Sequence, residues 1–208
     1  MQQQDPLVDA QIRSARYWNV DGLSEIAVGL QVLLVPAFLY VVAHTSRGSL
    51  GRVAAVLAFA LGLPAVMFLT PRVLVAVRRR FTYRRTGFVA YRQDRRAWVF
   101  GVGLAVSLAV LLLALMATGR NWIAYLFVLQ ALIPGGLTFY LGRIVGLVRF
   151  QAIGVLYIGF GLGVALAQPD LIRGMTIFWT AVGAMFLVFG GLTFWRYVRL
   201  HPATAAAQ

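Results

Sequence analysis

The segment from residue 23 to residue 44 reads LSEIAVGLQVLLVPAFLYVVAH and contains one formally charged side chain, Glu25. A run of about 20 apolar residues is long enough to cross the hydrocarbon core of a bilayer as a helix. A helix also satisfies its backbone hydrogen bonds within the segment, which hydrocarbon requires. The segment therefore predicts a transmembrane helix.

Five further apolar stretches meet the same criterion, so we predict an all-α bundle of six spans in three hairpins. Pro71 is expected to end the second span because proline removes a backbone donor. The further spans run from about Arg52 to Thr70, Trp98 to Thr118, Trp122 to Leu141, Ile144 to Ala167 and Met175 to Trp195. The predicted regions are an N-terminal segment 1–22, a first hairpin 23–70, a basic loop 71–97, a second hairpin 98–141, a third hairpin 142–197 and a tail 198–208.

Composition agrees with a membrane protein and provides little for catalysis. The chain is 61% hydrophobic and 12% charged, whereas soluble domains are nearer half apolar and a quarter charged. Cysteine is absent, which excludes disulfides and thiolate chemistry. His44 and His201, the two imidazoles, have no partners at ligand or triad spacing. We therefore predict no catalytic residue, metal site or cofactor.

The arginines predict the orientation. All 19 basic residues are arginine, and fifteen of them lie on one side of the predicted topology. Basic residues near helix ends are retained on the cytoplasmic side of a membrane. Both termini and the loop 71–97 are therefore predicted to be cytoplasmic. The four arginines on the other side are Arg47, Arg52, Arg120 and Arg173.

The loop 71–97 combines arginines with aromatic residues. Residues 81–83 and 88–91 are β-prone and flank a turn at 84–87, which predicts a small β-hairpin. Each arginine near an anionic leaflet contributes about 1 kcal/mol, so the loop is expected to bind lipid headgroups. An acidic cytoplasmic protein is the alternative partner, and nucleic acid is disfavoured because the loop has no recognisable binding fold. The predicted surface consists of Arg78, Arg79, Arg80, Phe81, Tyr83, Arg84, Arg85, Phe88, Tyr91, Arg92, Arg95 and Arg96.

Two carboxylates stand four residues apart where the first span begins, Asp21 and Glu25. On a helix this spacing places them on one face. One interpretation is structural: Asp21 caps the helix and Glu25 complements its dipole, which is worth about 1 kcal/mol. The other is functional, in which they bind a cation, accept a proton, or pair with an arginine of the loop 71–97, with Arg84 or Arg85 as the expected partner.

The fourth span contains Gln130 and, near its middle, Pro134, Gly135 and Gly136. Proline followed by paired glycine predicts a kink or break, and broken helices line substrate sites in transporters. An inert kink is the alternative interpretation.

Glycines spaced four apart predict close helix packing within the chain, with a homodimer as the alternative. These pairs are Gly142 with Gly146 and Gly159 with Gly163, with Gly154 and Gly161 nearby and Gly183, Gly190 and Gly191 in the last span.

Two motifs carry a resemblance to a family. Residues 21–30, DGLSEIAVGL, and residues 82–89, TYRRTGFV, resemble a widespread group of small bacterial membrane proteins with no assigned activity. That group pairs an acidic helix start with a Tyr-Pro-Arg-x-Gly-Tyr-Val-like loop; here Arg84 replaces the proline and Phe88 the tyrosine. The resemblance covers roughly the first half of the chain and implies a bacterial inner-membrane protein.

Three functions follow in order of preference. The first is a non-catalytic membrane subunit or regulator whose basic loop engages anionic lipid or an acidic partner. The second is a small dimeric transporter or channel that uses Glu25 and the break after Gln130. The third is an enzyme acting on lipid, for which the sequence supplies no convergent acid, base, nucleophile or metal set.

Overall fold

The structure is a computed structural model that describes residues 19–46, 48–81, 122–167 and 170–201. Within these ranges all regular structure is helical, and each of the five helices is long and apolar enough to cross a membrane. The chain is therefore a multi-pass membrane protein. The helices are α1 (Leu23–His44), α2 (Leu50–Phe81), α3 (Trp122–Val145), α4 (Val148–Ala167) and α5 (Leu171–Leu200).

The first predicted span has the same bounds as α1, and the fourth, fifth and sixth overlap α3, α4 and α5. The third predicted span, 98–118, lies outside the described residues, as does the predicted turn at 84–87. The third span, and with it the total of six, and the β-hairpin therefore stay predictions.

The predicted end of the second span at Thr70 is wrong, because α2 continues through Pro71 to Phe81. Side chains beside the proline donate to carbonyls of the preceding turn: Thr70 Oγ1 to Val66 O at 2.7 Å and Arg72 Nη1 to Phe68 O at 3.1 Å. The apolar run that follows is also most stable as a helix, since hydrocarbon leaves no other partner for its backbone. Residues 71–81, predicted as loop, are thus helical.

The described residues fall into two units. The first contains α3, α4 and α5 up to Phe178, and the second contains α1, α2 and α5 from Trp179 onward. In the first unit, Phe127 and Phe178 are fully buried and meet edge to face at 6.2 Å between ring centroids. Tyr157 meets Phe178 in the same way at 5.5 Å. These rings form the core of the first unit.

Glycines spaced seven apart bring α3 and α4 together. A β-carbon on Gly154 would lie 2.6 Å from the carbonyl oxygen of Gly135, and one on Gly161 would overlap the Ala131 side chain. Gly142 likewise faces Gln151. A seven-residue spacing keeps one helix face towards its partner, as in a left-handed coiled coil.

The same spacing recurs in the second unit. Gly22 and Gly29 of the α1 region face Gly190 and Gly183 of α5, with the order of contacts reversed, so the two helices are antiparallel. Of the glycines singled out in the sequence, Gly142, Gly154, Gly161, Gly183 and Gly190 are in close contacts, but at seven-residue and not four-residue spacing. Gly146 instead has a positive φ of 72° in the turn between α3 and α4, and a β-carbon on Gly159 or Gly163 would meet nothing within 4 Å.

Large apolar side chains cover the outside of the helices. In α2, Leu50, Leu61 and Phe68 are 88%, 72% and 66% exposed. Soluble monomers rarely expose contiguous apolar surface on this scale. The surface is that of an integral membrane protein, consistent with the composition.

Candidate functional site

The site begins at the start of α1, where the chain makes a sharp entry into the helix. Gly22 is the N-cap residue, with φ 72° and no side chain to cap the helix. Asp21 supplies the cap instead, because its Oδ1 accepts a hydrogen bond from the Leu23 amide at 3.2 Å. Ile26 N donates to Gly22 O at 3.2 Å and closes the first turn. This hydrogen bond supports the structural interpretation of Asp21 as the cap of α1.

Asp21 also forms a buried ion pair with Arg78 near the end of α2. Arg78 Nε donates to Asp21 Oδ2 at 2.8 Å, and Nη2 donates to Oδ1 at 3.1 Å. Nη2 donates in addition to Ser24 Oγ at 2.9 Å. The Arg78 and Asp21 side chains are only 5% and 3% exposed. Two parallel hydrogen bonds between a guanidinium and a carboxylate are among the strongest and most directional polar contacts in proteins.

The register of the α1–α2 hairpin places these two groups together. Gln31 Nε2 donates to Thr70 Oγ1 at 2.5 Å. Further along the pair, the rings of Phe38 and Phe59 stack with centroids 4.2 Å apart. In these two contacts the residue number rises along α1 while it falls along α2, so the two helices are antiparallel. The end of α2 therefore lies beside the start of α1.

The predicted partner of Asp21 was Arg84 or Arg85, and Arg78 was predicted to face lipid or a protein. Arg78 is instead 4% exposed and bound to Asp21. The missed signal was the apolar run after Pro71, VLVAV at residues 73–77. That run extends α2 and carries Arg78 to the level of Asp21.

Glu25 is buried close by, in the first turn of α1, with 2% of its surface exposed. The positive end of the helix dipole favours a carboxylate there. A carboxylate that approaches hydrocarbon normally also has a cationic or hydrogen-bonding partner. Its pairing with Arg84 or Arg85 stays a hypothesis, since those arginines lie outside the described residues.

Exposed arginines surround this buried pair. The close contact of Gly22 with Gly190, Thr193 and Phe194 puts the last turns of α5 at the same end of the unit as the last turn of α2. Both acidic side chains described in this unit, Asp21 and Glu25, are 2% exposed. The exposed formal charge of the described residues at this end is therefore entirely positive. We call it the basic end, formed by the exposed Arg79 and Arg80 of α2 and Arg196 and Arg199 of α5.

An indole lies within the basic end. Trp195 is 55% exposed, and the guanidinium carbon of Arg199 lies 3.9 Å from the centre of its ring. Such a cation–π pair presents both an apolar face and a positive charge.

The rest of the predicted loop surface lies outside the described residues, apart from Phe81, which ends α2. The residues concerned are Tyr83, Arg84, Arg85, Phe88, Tyr91, Arg92, Arg95 and Arg96.

Where the fourth span is predicted to kink or break, α3 is one continuous helix through Pro134, so the helix is not broken there and a kink stays a prediction. Gly135 packs against α4, where a β-carbon would lie 2.7 Å from the Ile158 side chain, whereas Gly136 faces open space. The Oε1 atom of Gln130 is buried, and nothing in the described part of the chain donates a hydrogen bond to it. Gln130 belongs to the first unit and Glu25 to the second.

Within the described ranges, no three His, Asp or Glu side chains gather as metal ligands would. The two histidines make local contacts: His44 Nδ1 lies 2.8 Å from Tyr40 O, and His201 Nδ1 lies 3.1 Å from Tyr197 O.

Comparison of the chain with protein families, with curated proteins and with solved structures finds no match in any of the three. The resemblance of residues 21–30 and 82–89 to a bacterial membrane family therefore stays a prediction.

Proposed function

We propose that this is a non-catalytic integral membrane protein whose basic end binds anionic lipid headgroups. The observation that carries the proposal is the separation of charge at that end. Asp21 and Glu25 are buried, whereas Arg79, Arg80 and the two arginines of α5 are exposed. An array of exposed arginines without exposed carboxylates attracts an anionic leaflet by about 1 kcal/mol per residue.

The depth of the arginines supports lipid as the ligand. A buried charge pair such as Asp21–Arg78 is least costly where hydrocarbon gives way to headgroups, since charge inside hydrocarbon is expensive. Arg79 and Arg80 follow within one turn. Phe194 lies level with Gly22, and Arg199 follows it by five residues, or about 8 Å along a helix. The headgroup layer of each leaflet is roughly 5–8 Å thick, so these arginines reach phosphate depth.

The exposed position of Trp195 also supports a location of the basic end at headgroup depth. Indoles concentrate at the membrane interface because one part of the ring is apolar and the other is polar. Its pairing with Arg199 places an interfacial aromatic and a headgroup-binding cation on the same surface. An acidic protein would bind above the headgroups, and its recruitment is therefore the second hypothesis.

The arginines between residues 82 and 96, which belong to the predicted binding surface, extend this proposal. They follow α2 directly, so they would add positive charge on the same side of the membrane. Since positive charge is retained in the cytoplasm, we propose that the basic end faces the cytoplasm of a bacterial cell, where the protein acts as a membrane subunit or regulator.

Lipid retention tests the proposal. The quadruple variant Arg79→Gln, Arg80→Gln, Arg196→Gln and Arg199→Gln would be purified in detergent and mixed with equal amounts of phosphatidylglycerol and phosphatidylcholine. Native mass spectrometry then counts each bound lipid. Phosphatidylglycerol retention is expected to fall about fivefold per arginine that binds it, while phosphatidylcholine retention stays unchanged.

Arg52→Gln is the matched control, because Arg52 lies at the opposite end of α2. It should keep the lipid profile of the unmodified protein. Equal loss of both lipids, or an acidic protein that copurifies with the unmodified chain and is released by the quadruple variant without any change in lipid, would contradict the proposal.

A further inference from the structure

Three consecutive arginines end α2, yet the first differs from the other two. Arg78 is 4% exposed, whereas Arg79 and Arg80 are exposed. All three would be expected to favour an anionic leaflet by a similar amount. The difference lies in the partner of Arg78, because Asp21 binds it from the start of α1.

Asp21 binds Arg78 in the way that a lipid phosphate would. The Nε and Nη2 atoms form one edge of the guanidinium, and both donate to Asp21, at 2.8 and 3.1 Å. A planar guanidinium fork matches the two oxygens of a carboxylate and two oxygens of a phosphate equally well. The same edge cannot serve both, so Asp21 and a headgroup compete for it.

Asp21 has the advantage over a lipid headgroup in this competition. Asp21 is held in place by the Leu23 amide, and Ser24 accepts a further hydrogen bond from Arg78 at 2.9 Å. A tethered carboxylate acts at a high effective concentration, which a freely diffusing lipid has to overcome.

We infer that Asp21 is a specificity-determining residue of the basic end: by occupying the Nε/Nη2 edge of Arg78, it limits how many arginines reach anionic headgroups. The inference rests on the proposed function. It assigns different roles to neighbouring arginines, with Arg78 reserved for the protein and Arg79 and Arg80 available to lipid.

The test is the variant Asp21→Asn in the same lipid-retention measurement. Removing the carboxylate charge releases Arg78, which is then free to turn towards the headgroups. Phosphatidylglycerol retention is expected to rise about fivefold, the equivalent of about 1 kcal/mol for one added arginine. A residue with a purely structural role would give an unchanged or lower value, and that result would overturn the inference. Asp21→Glu, which keeps the charge, should retain lipid as the unmodified protein does.

The double variant Asp21→Asn with Arg78→Gln covers the case in which Asp21→Asn does not fold. It removes both charges at once, so no unpaired charge stays buried. Retention equal to that of the unmodified protein supports the inference, because Arg78 then contributes nothing to lipid binding. A loss of phosphatidylglycerol would show that Arg78 already binds lipid and would overturn it.

The quadruple variant Arg79→Gln, Arg80→Gln, Arg196→Gln and Arg199→Gln separates the two ideas. If this variant keeps all of its phosphatidylglycerol, the proposed function fails. If it loses lipid while Asp21→Asn gains none, the proposed function stands and the role of Asp21 fails.

Discussion

Two neighbouring glycines of α5 have opposite surroundings. A β-carbon on Gly190 would lie 2.7 Å from the Ile26 amide nitrogen and 2.9 Å from the Gly22 carbonyl oxygen, both of which are backbone atoms. A β-carbon on Gly191 would meet nothing within 4 Å. Backbone atoms cannot move aside as the end of a side chain can, so α1 and α5 would have to separate to admit a methyl group at position 190.

Alanine at these two positions should therefore act in opposite directions. Gly190→Ala is expected to lower the free energy of unfolding by about 1–3 kcal/mol, which is the usual cost of overpacking. Gly191→Ala should raise it by up to about 1 kcal/mol, because alanine favours the helix. Thermal unfolding of both variants in one detergent measures the difference. Equal melting temperatures would contradict the close approach of α1 and α5.

At the scale of helices, polar contacts inside the membrane set the pairing of α1 with α2. Gln31 donates to the hydroxyl of Thr70, and that hydroxyl donates in turn to Val66 O at 2.7 Å. Between apolar helices, burial of apolar surface gives little preference for one register over another, because lipid tails are as apolar as the side chains. A hydrogen bond does favour one register over the others, because its donor and acceptor have to lie side by side. Gln31 and Thr70 therefore help to bring the end of α2 to the level of Asp21.

A double-mutant cycle on this contact should detect the coupling. Gln31→Leu, Thr70→Val and the combined variant are expected to give a coupling free energy of about 0.6 kcal/mol, up to about 1.7. Unfolding in detergent gives the free energy of unfolding of each of the three variants relative to the unmodified protein. Thr176→Val is a suitable control, since the Thr176 hydroxyl donates within its own helix to Ile172 O at 2.8 Å. Strict additivity of Gln31→Leu and Thr70→Val would contradict a contact that sets the register.

The length of α2 has a consequence for the protein as a whole. Thirty-two residues of helix measure about 48 Å, which exceeds the roughly 30 Å of hydrocarbon. The excess is long enough for Arg79 and Arg80, beside the end of α5, to lie beyond the hydrocarbon. Charge is therefore concentrated at one end of the second unit, which determines the expected orientation.

Cysteine labelling tests that orientation, and the absence of native cysteine removes any background. Arg80→Cys should react with a membrane-impermeant maleimide only after the bacterial cells are permeabilised. Ser46→Cys, in the connection between α1 and α2, should react in intact cells. The reverse pattern would place the basic end outside and would contradict both the orientation and its proposed contact with the cytoplasmic leaflet.

Much of the architecture follows from local chemistry. The bounds of α1, and the positions of α3, α4 and α5, were predictable because hydrocarbon requires a helix wherever about 20 apolar residues occur together. Capping by Asp21, and a position for Glu25 in the first turn of α1, were also among the interpretations that the sequence supported. Each depends on residues close together in the chain, so spacing and composition suffice.

Contacts between distant segments were not predictable in the same way. Proline ends many helices, and the tolerance of Pro71 inside α2 depends on the lipid, which leaves the backbone of the following apolar run no partner outside a helix. Which arginine of the predicted loop pairs with Asp21, and whether glycines four or seven residues apart are in contact, depend on which helices meet and in what register. Apolar helices can pair in several registers at similar cost, so the choice is made by packing and hydrogen bonds that exist only once the helices are side by side.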